Sequence, residues 1–400
     1  MSDNKRPLDG IRVIEVGQLL AGPFAGTFLG YFGAEVIKIE PPGEGDPIRG
    51  WRLLDENNTS YWWRSLGRNK KSVTANLKTE KAREIVGQLI NTADVVIENF
   101  KPGTMENWGL GPKDFEQTNP GLIYVRVSGY GQTGPYSKKP GYASVTEAFS
   151  GFRYLNGFED RPPVRPNLSM GDTVAGLHGV LGVLMALLER KQDRGTEGQV
   201  IDVALYEAMF NLMEGVIPEY DGAKAIREPS GSTLTGIVPT NTYLCSDGKH
   251  VVIGANGDSI YVRLMKAIQK NELAEDPRLA TNAGRVIHQQ LIDETIAFWT
   301  GSISSDEVIK LLEEAEVPVG LIYSVEDMFN DPQYKARELF EEVEVNNRTL
   351  KIPAILPKLS KTPGRTDFPG TEVGIATDDT LSKLGYSQNE IKELKDNGDI

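Results

Sequence analysis

The chain has 400 residues, more than one hydrophobic core supports, and its apolar and charged contents are those of an ordinary globular protein. Its net charge of -13 argues against a nucleic-acid partner, which would need a basic face. The single cysteine, Cys245, forms neither an intramolecular disulfide nor a zinc cluster, and His178, His250 and His288 sit in no metal or relay motif, so a reducing compartment and no metal are expected.

The N-terminal "MSDNKRPLDGIRVIEV" is polar, with no apolar leader, and no later run is read as a membrane span. The expectation is a soluble cytoplasmic protein without a membrane partner. "IRVIEV" (11–16) predicts a buried strand, "PFAGTFLGYFGA" (23–34) a helix ended by glycine, and "EVIKIE" (35–40) the next strand. Further strands are predicted at 71–77, 93–100 and 121–131, with a helix over 79–91. Strands and helices alternating through short connections mean parallel strands with right-handed crossovers, a Rossmann-like α/β sheet.

Helices follow at 143–151 and 173–190, then a strand at 198–205 that runs into a helix over 204–215. Residues 222–242 read as loop, rich in Gly, Pro, Ser and Thr. Residues 243–330 read as a second αβ unit, with strands near "KHVVIGA" and "VPVGLI" and helices near 257–270, 286–300 and 304–315. The tail holds "FEEVEV", a Pro-rich passage over 353–369 and a helix near 379–395, and is expected to lie across other parts of the structure. The predicted organisation is a large domain over 1–221, completed by 331–400, and a small α/β domain over 222–330.

The first strand-to-helix turn, "VGQLLAGPFAG", lacks the GxGxxG of a dinucleotide site, and "GEGDPIRG" (43–50) lacks the ending of a P-loop. Cations and rings instead gather at several strand ends. "RNKK" (68–71), Lys78, "ENFKPG" with Asn99, Phe100 and Lys101, and "YSKKPGY" with Lys138, Lys139 and Tyr142 suggest a phosphorylated, adenine-like ligand. Each cluster by itself reads more readily as a solvated basic face, and it is their coincidence at several strand ends that points to the ligand.

In "NLSMGDTVAG" (167–176), Asp172 precedes an apolar helix whose stripe is Val174, Leu177, Leu181, Leu184 and Leu188. Local pattern makes Asp172 an N-cap. A carboxylate there can also be a covalent catalyst, since a helix N-terminus keeps it ionised and supplies N–H donors. Attack on an acyl thioester gives a mixed anhydride and then an enzyme thioester, with no metal, histidine or redox cofactor. Gly176, Gly179 and Gly182 in the same helix would admit a neighbouring backbone.

The N-terminal block "PLDGIRVIEVGQLLAGPFAGTFLGYFGAEVIKIEPPGEGDPIRGW" resembles that of the class III CoA-transferases, the formyl-CoA transferase and carnitine CoA-transferase family. "GRNKKSVTANLKTEKAREIV", "ADVVIENFKPGTMENWGLG", "SGYGQTGPYSKKPGY" and "GDTVAGLHGVLGVLMALLER" resemble its later blocks, in order. The resemblance implies that Asp172 is the catalytic aspartate, that Leu20 and Ala21 flank the thioester, and that Lys78, Asn99, Phe100 and the region of Tyr142 contact CoA. It also implies an interlocked homodimer, and a CoA thioester as substrate with no separate cofactor.

Leu20, Pro41 and Asn107 differ from the residues of formyl-CoA transferase, which weighs against oxalate as acceptor. "WWRSLGRNKKSV" looks like members that use succinyl-CoA with small dicarboxylates, for which Arg49, Arg52, Arg64 and Arg68 are candidate ligands of a second carboxylate. The related α-methylacyl-CoA racemases carry Gly-His-Asp where this chain has Gly141-Tyr142-Ala143, so two-base racemisation lacks a base. Racemisation, or CoA binding without catalysis, remains the alternative reading.

Overall fold

The computed structural model describes residues 5–191 and 197–400, so the first four residues of the polar N-terminus lie outside it. The chain divides into two compact units. The first gathers the described residues up to Phe152, then Pro166–Glu214 and Lys335–Ile400; the second is Arg153–Arg165 with Gly215–Tyr334. Sequence pattern put these divisions at 221/222 and 330/331 and did not separate the short 153–165 excursion.

Six short strands build the main sheet of the first unit: β1 (Arg12–Glu15), β2 (Glu35–Glu40), β3 (Lys70–Thr74), β4 (Val95–Glu98), β5 (Ile123–Ser128) and β6 (Val200–Ala204). They lie in the order β3-β2-β1-β4-β5-β6, all parallel, with Val13 paired to both Val36 and Val95. Both faces are covered, so the central strands are near-continuous Val and Ile. Val13, Val95 and Val125 face one core and Ile14, Val96 and Tyr124 the other, as the two-residue period requires.

Seven helices of this unit matter below: α1 (Ala21–Tyr31), α2 (Tyr61–Leu66), α3 (Glu80–Asn91), α4 (Thr104–Asn107), α5 (Ala143–Phe149), α6 (Met170–Lys191) and α7 (Leu205–Phe210). The Val13 core holds residues of α1 and α6, and the Ile14 core those of α3. The buried face of α6 is Ala175, Gly176, Gly179, Val180, Val183, Ala186 and Leu187. This corrects the predicted stripe: Leu177, Leu181, Leu184 and Leu188 stand exposed, one step round the helix. Small residues face the core because α1 comes so close that a Cβ on Gly176 would lie 2.9 Å from the Ala21 carbonyl oxygen. By length and composition α6 is apolar enough to cross a membrane, which corrects the expectation that no run approaches a span. Its small-residue face packs as a core helix does.

The tail seals the outer strand of the sheet. Asn69 N–H donates to Phe368 O, Asn76 N–H to Asp399 O and Thr74 N–H to the Thr377 hydroxyl, all along β3 and its ends. An uncovered edge would expose unpaired donors and acceptors. "FEEVEV" is β10 (Phe340–Val345), and its hairpin partner β11 (Arg348–Pro353) returns through Asn346 and Asn347, both at positive φ. The predicted terminal helix is two, Thr377–Lys383 and Gln388–Asp396, the second opened by a Ser387–Glu390 capping box.

In the second unit, β7 (Thr240–Leu244), β8 (His250–Gly254) and β9 (Val319–Leu321) form an antiparallel sheet. Val251, Ile253, Leu264, Ile292, Ile296 and Leu312 fill its core.

Candidate active site

The connection from β1 to α1 is pinned group by group. The Lys38 ammonium donates to Gly17 O at 2.9 Å. The Asn99 side chain accepts from Gln18 N–H and donates to Gln18 O, both at 2.8 Å. Leu19 N–H reaches both oxygens of Asp46 at 3.1 Å. Leu19 sits at φ 64, a left-handed conformation that bulky side chains avoid unless the surroundings enforce it. A Cβ on Gly17 would lie 2.6 Å from the Asn99 side-chain oxygen, so a larger residue there would displace the amide that holds Gln18.

Beneath this loop lies a chain of fully buried charges: Asp46 with Lys38 at 2.8 Å, Lys38 with Glu15 at 3.1 Å, and Glu15 with Lys70 at 2.8 Å. Burial works to lower Lys38, but Asp46, Glu15 and Glu40 outweigh it and hold the ammonium charged. Burial wins at Lys70, which falls to about 8 despite Glu15.

Above the loop opens a cavity of about 390 Å³, walled by Gln18–Ala21, Asn99–Pro102, Val127–Gly129, Lys139–Tyr142, Ser169 and Asp172 among others. It lies at the carboxyl ends of β1, β4 and β5. There strand order reverses, which is where open α/β sheets bind ligands. Asp172 is not the cap of α6 but lies in its first turn, because the helix already starts at Met170. Met170 and Gly171 carry no capping side chain, so pattern alone started the helix too late. The neighbouring Gly171 N–H donates at 3.1 Å to Glu147, a wholly buried acid on α5. The positive end of the α6 dipole favours the ionised form of Asp172 from the first turn as well.

A second cavity, about 540 Å³, shares Gln18 and Phe100 with the first and is lined also by Ile39, Pro41, Ala75, Lys78 and Trp108. Trp108 braces Phe100 edge-on, ring centroids 5.1 Å apart. Phe100 N–H donates to Glu98 at 2.7 Å. Burial pushes Glu98 up to about 7, although Arg126 lies 2.8 Å away and works to lower it.

Leu20, Ala21, Asn99, Phe100, Lys101 and Tyr142 thus share one cavity with Asp172, and Lys78 lines the adjoining one. Lys138 lines neither; the next residue, Lys139, does, with its ammonium 3.5 Å over the Tyr136 ring. The Asn99 amide is already occupied by Gln18, so its evident role is to brace the loop. Trp51, Trp62 and Ser128 also stand in the wall, none of them singled out individually from the sequence. Ser128 ends β5 with a buried hydroxyl that has no hydrogen-bond partner among the described residues.

Of the four arginines named from sequence, three are buried and engaged. Arg49 makes two 2.7 Å bonds to Glu40, Arg64 pairs with Asp55 at 2.7 Å, and Arg68 donates to Pro353 O at 2.7 Å. Only Arg52 is exposed, with its guanidinium 4.1 Å over the Trp62 ring.

Residues 8–374 match the model of CoA-transferase family III. The chain belongs to that family. It is a class III CoA-transferase, as the ordered blocks implied. It is 44% identical over 392 residues to a succinyl-CoA–D-citramalate CoA-transferase of Chloroflexus aurantiacus, covering 98% of this chain and 97% of that one. It is 34% identical to a succinate–glutarate CoA-transferase of Agrobacterium fabrum, covering 96% and 97%. Among solved structures, a CAIB/BAIF family protein from Brucella suis superposes with TM-score 0.84 at 32% identity, covering 95% of this chain and all of that one. The parallel sheet and helical layers are therefore this family's fold.

Proposed function

We propose that this CoA-transferase moves CoA from a succinyl-type acyl-CoA to a small dicarboxylic acid through covalent intermediates on Asp172. The observation that carries the reading is that Asp172, the α1 entry loop and the Asn99–Lys101 turn line one cavity. The names of the relatives, which pair succinyl-CoA with citramalate and glutarate, support the substrate class.

The Asp172 carboxylate attacks the thioester carbonyl, the C–S bond breaks, and CoA leaves as thiolate. The thiolate then attacks the Asp172 carbonyl of the anhydride, releasing the first acid as a carboxylate and leaving an aspartyl-CoA thioester. The acceptor carboxylate attacks that thioester and expels the thiolate. The thiolate attacks the new acyl carbon and restores Asp172. No proton is gained or lost overall, so no histidine is required. No side chain caps α1, which leaves the first N–H groups of that helix, at Ala21 and Gly22, as the natural oxyanion donors. The second cavity, with Phe100, Trp108 and Lys78, suits the adenine and phosphate end of CoA. Gly141 and Tyr142 line the cavity where a racemase would present an imidazole, which favours transfer over racemisation.

The working form is a cytoplasmic homodimer, for which the exposed leucines of α6 offer the apolar contact. Hydroxylamine added with succinyl-CoA should convert Asp172 to its hydroxamate, read by peptide mass, and Asp172→Asn should abolish both label and exchange. Full exchange by Asp172→Asn would sink the aspartyl route.

A further inference from the structure

We infer that Arg52 is the binding point for the distal carboxylate of the acids this enzyme handles, an inference that rests on the transferase reading above. Arg49, Arg64 and Arg68 are withdrawn from ligand binding by buried partners, while Arg52 meets no carboxylate among the described residues. Its guanidinium lies 4.1 Å over the ring of Trp62. Trp62 and the adjacent Trp51 line the cavity that holds Asp172, with ring centroids 6.5 Å apart. Stacking occupies the face of the guanidinium and leaves its in-plane N–H edges for a bidentate carboxylate.

The backbone supports the same reading. Arg52 is held at φ 63, a conformation long side chains rarely adopt, in a segment that also exposes Trp51, Leu53 and Leu54. Strain of this kind persists where the aim of a side chain matters. Arg52 stands behind Trp62 rather than in the cavity wall, and the cations of the wall itself, Lys101 and Lys139, are point charges without a planar fork. Because the donor acid leaves before the acceptor acid enters, one subsite serves both.

The test compares glutarate with valerate, which has the same chain length and a methyl group where glutarate has its second carboxylate. Both are offered to wild type and Arg52→Gln with a fixed succinyl-CoA donor, and the acyl-CoA products are read by mass spectrometry. Any effect on the donor cancels in the ratio of the two acceptors. The expected result is a fall of about 10- to 100-fold in the glutarate preference, carried by KM, with partial recovery in Arg52→Lys. An unchanged preference in Arg52→Gln, or an equal loss for both acids, would overturn the assignment. Transfer of that loss to Lys139→Gln would do the same. A wild-type protein that moves CoA to no dicarboxylate in a panel overturns the dicarboxylate reading of the proposed function, and this inference with it.

Discussion

Glu40 closes β2 with its carboxylate enclosed, yet it stays ionised far into acid. Burial alone would raise it, but two bonds from Arg49, the charge of Lys38 and the Ser72 hydroxyl outweigh burial and bring it down to about 2 from 4.5. A carboxyl whose folded pKa lies below its unfolded one contributes stability above 4.5 and loses it as pH falls towards 2. The full contribution is on the order of 3 kcal/mol. Denaturant unfolding of wild type should therefore weaken across that window, and Glu40→Gln, though less stable at neutral pH, should show a flatter profile there. Parallel profiles would rule out Glu40 as the source. Glu40 also lines the second cavity, so the same pair that resists acid shapes the ligand wall. None of this was legible locally, because Glu40 and Ser72 are 32 residues apart. Asn99 is similar. "ENF" marked a binding turn, but its bond partner is Gln18, 81 residues away.

At the scale of elements, the close approach of α6 to α1 couples the helix that carries Asp172 to the loop it faces. Gly176 abuts backbone, the carbonyl of Ala21, whereas a Cβ on Gly179 would lie 3.4 Å from the Val125 side chain and 3.9 Å from Ala25, ordinary contact distances. Gly176→Ala should cost about 1–3 kcal/mol through overpacking, less ~1 kcal/mol gained in helix propensity. Gly179→Ala should be nearly neutral. Thermal melts of the two variants check this, and because α1 carries the Ala21 and Gly22 N–H groups proposed as oxyanion donors, Gly176→Ala should also lower kcat. Equal melting temperatures would remove the close-packing argument. The glycines themselves were readable as an invitation to a neighbouring backbone. Which face they opened was not, because apolar periodicity marks a stripe without saying what covers it.

For the whole molecule, the same stripe becomes the clearest unpartnered surface of the first unit. Leu181, Leu184, Met185 and Leu188 are all exposed on one apolar helix, more than a monomer ordinarily leaves in water. Light scattering should give a dimer mass for wild type and a shift towards monomer for Leu181→Arg with Leu184→Arg. A wild-type monomer, or an undisturbed dimer in the variant, would refute the contact.

Strand and helix alternation over the first two hundred residues was determined by sequence alone, since buried β-branched runs and short connections admit few other topologies. The proposal of Asp172 as the reacting carboxylate also came from sequence, because no histidine sits in a relay or metal motif and the blocks follow one family in order. The tertiary structure decided what depends on distant partners. It showed that three arginines are buried ties while Arg52 is exposed over the Trp62 ring, and that the Asn99 amide is bonded to Gln18. It also showed that β10 has a hairpin partner and that the apolar stripe of α6 points outward. Local pattern reports what each segment prefers, but the neutralisation of a charge or the covering of a face is a property of what folds against it.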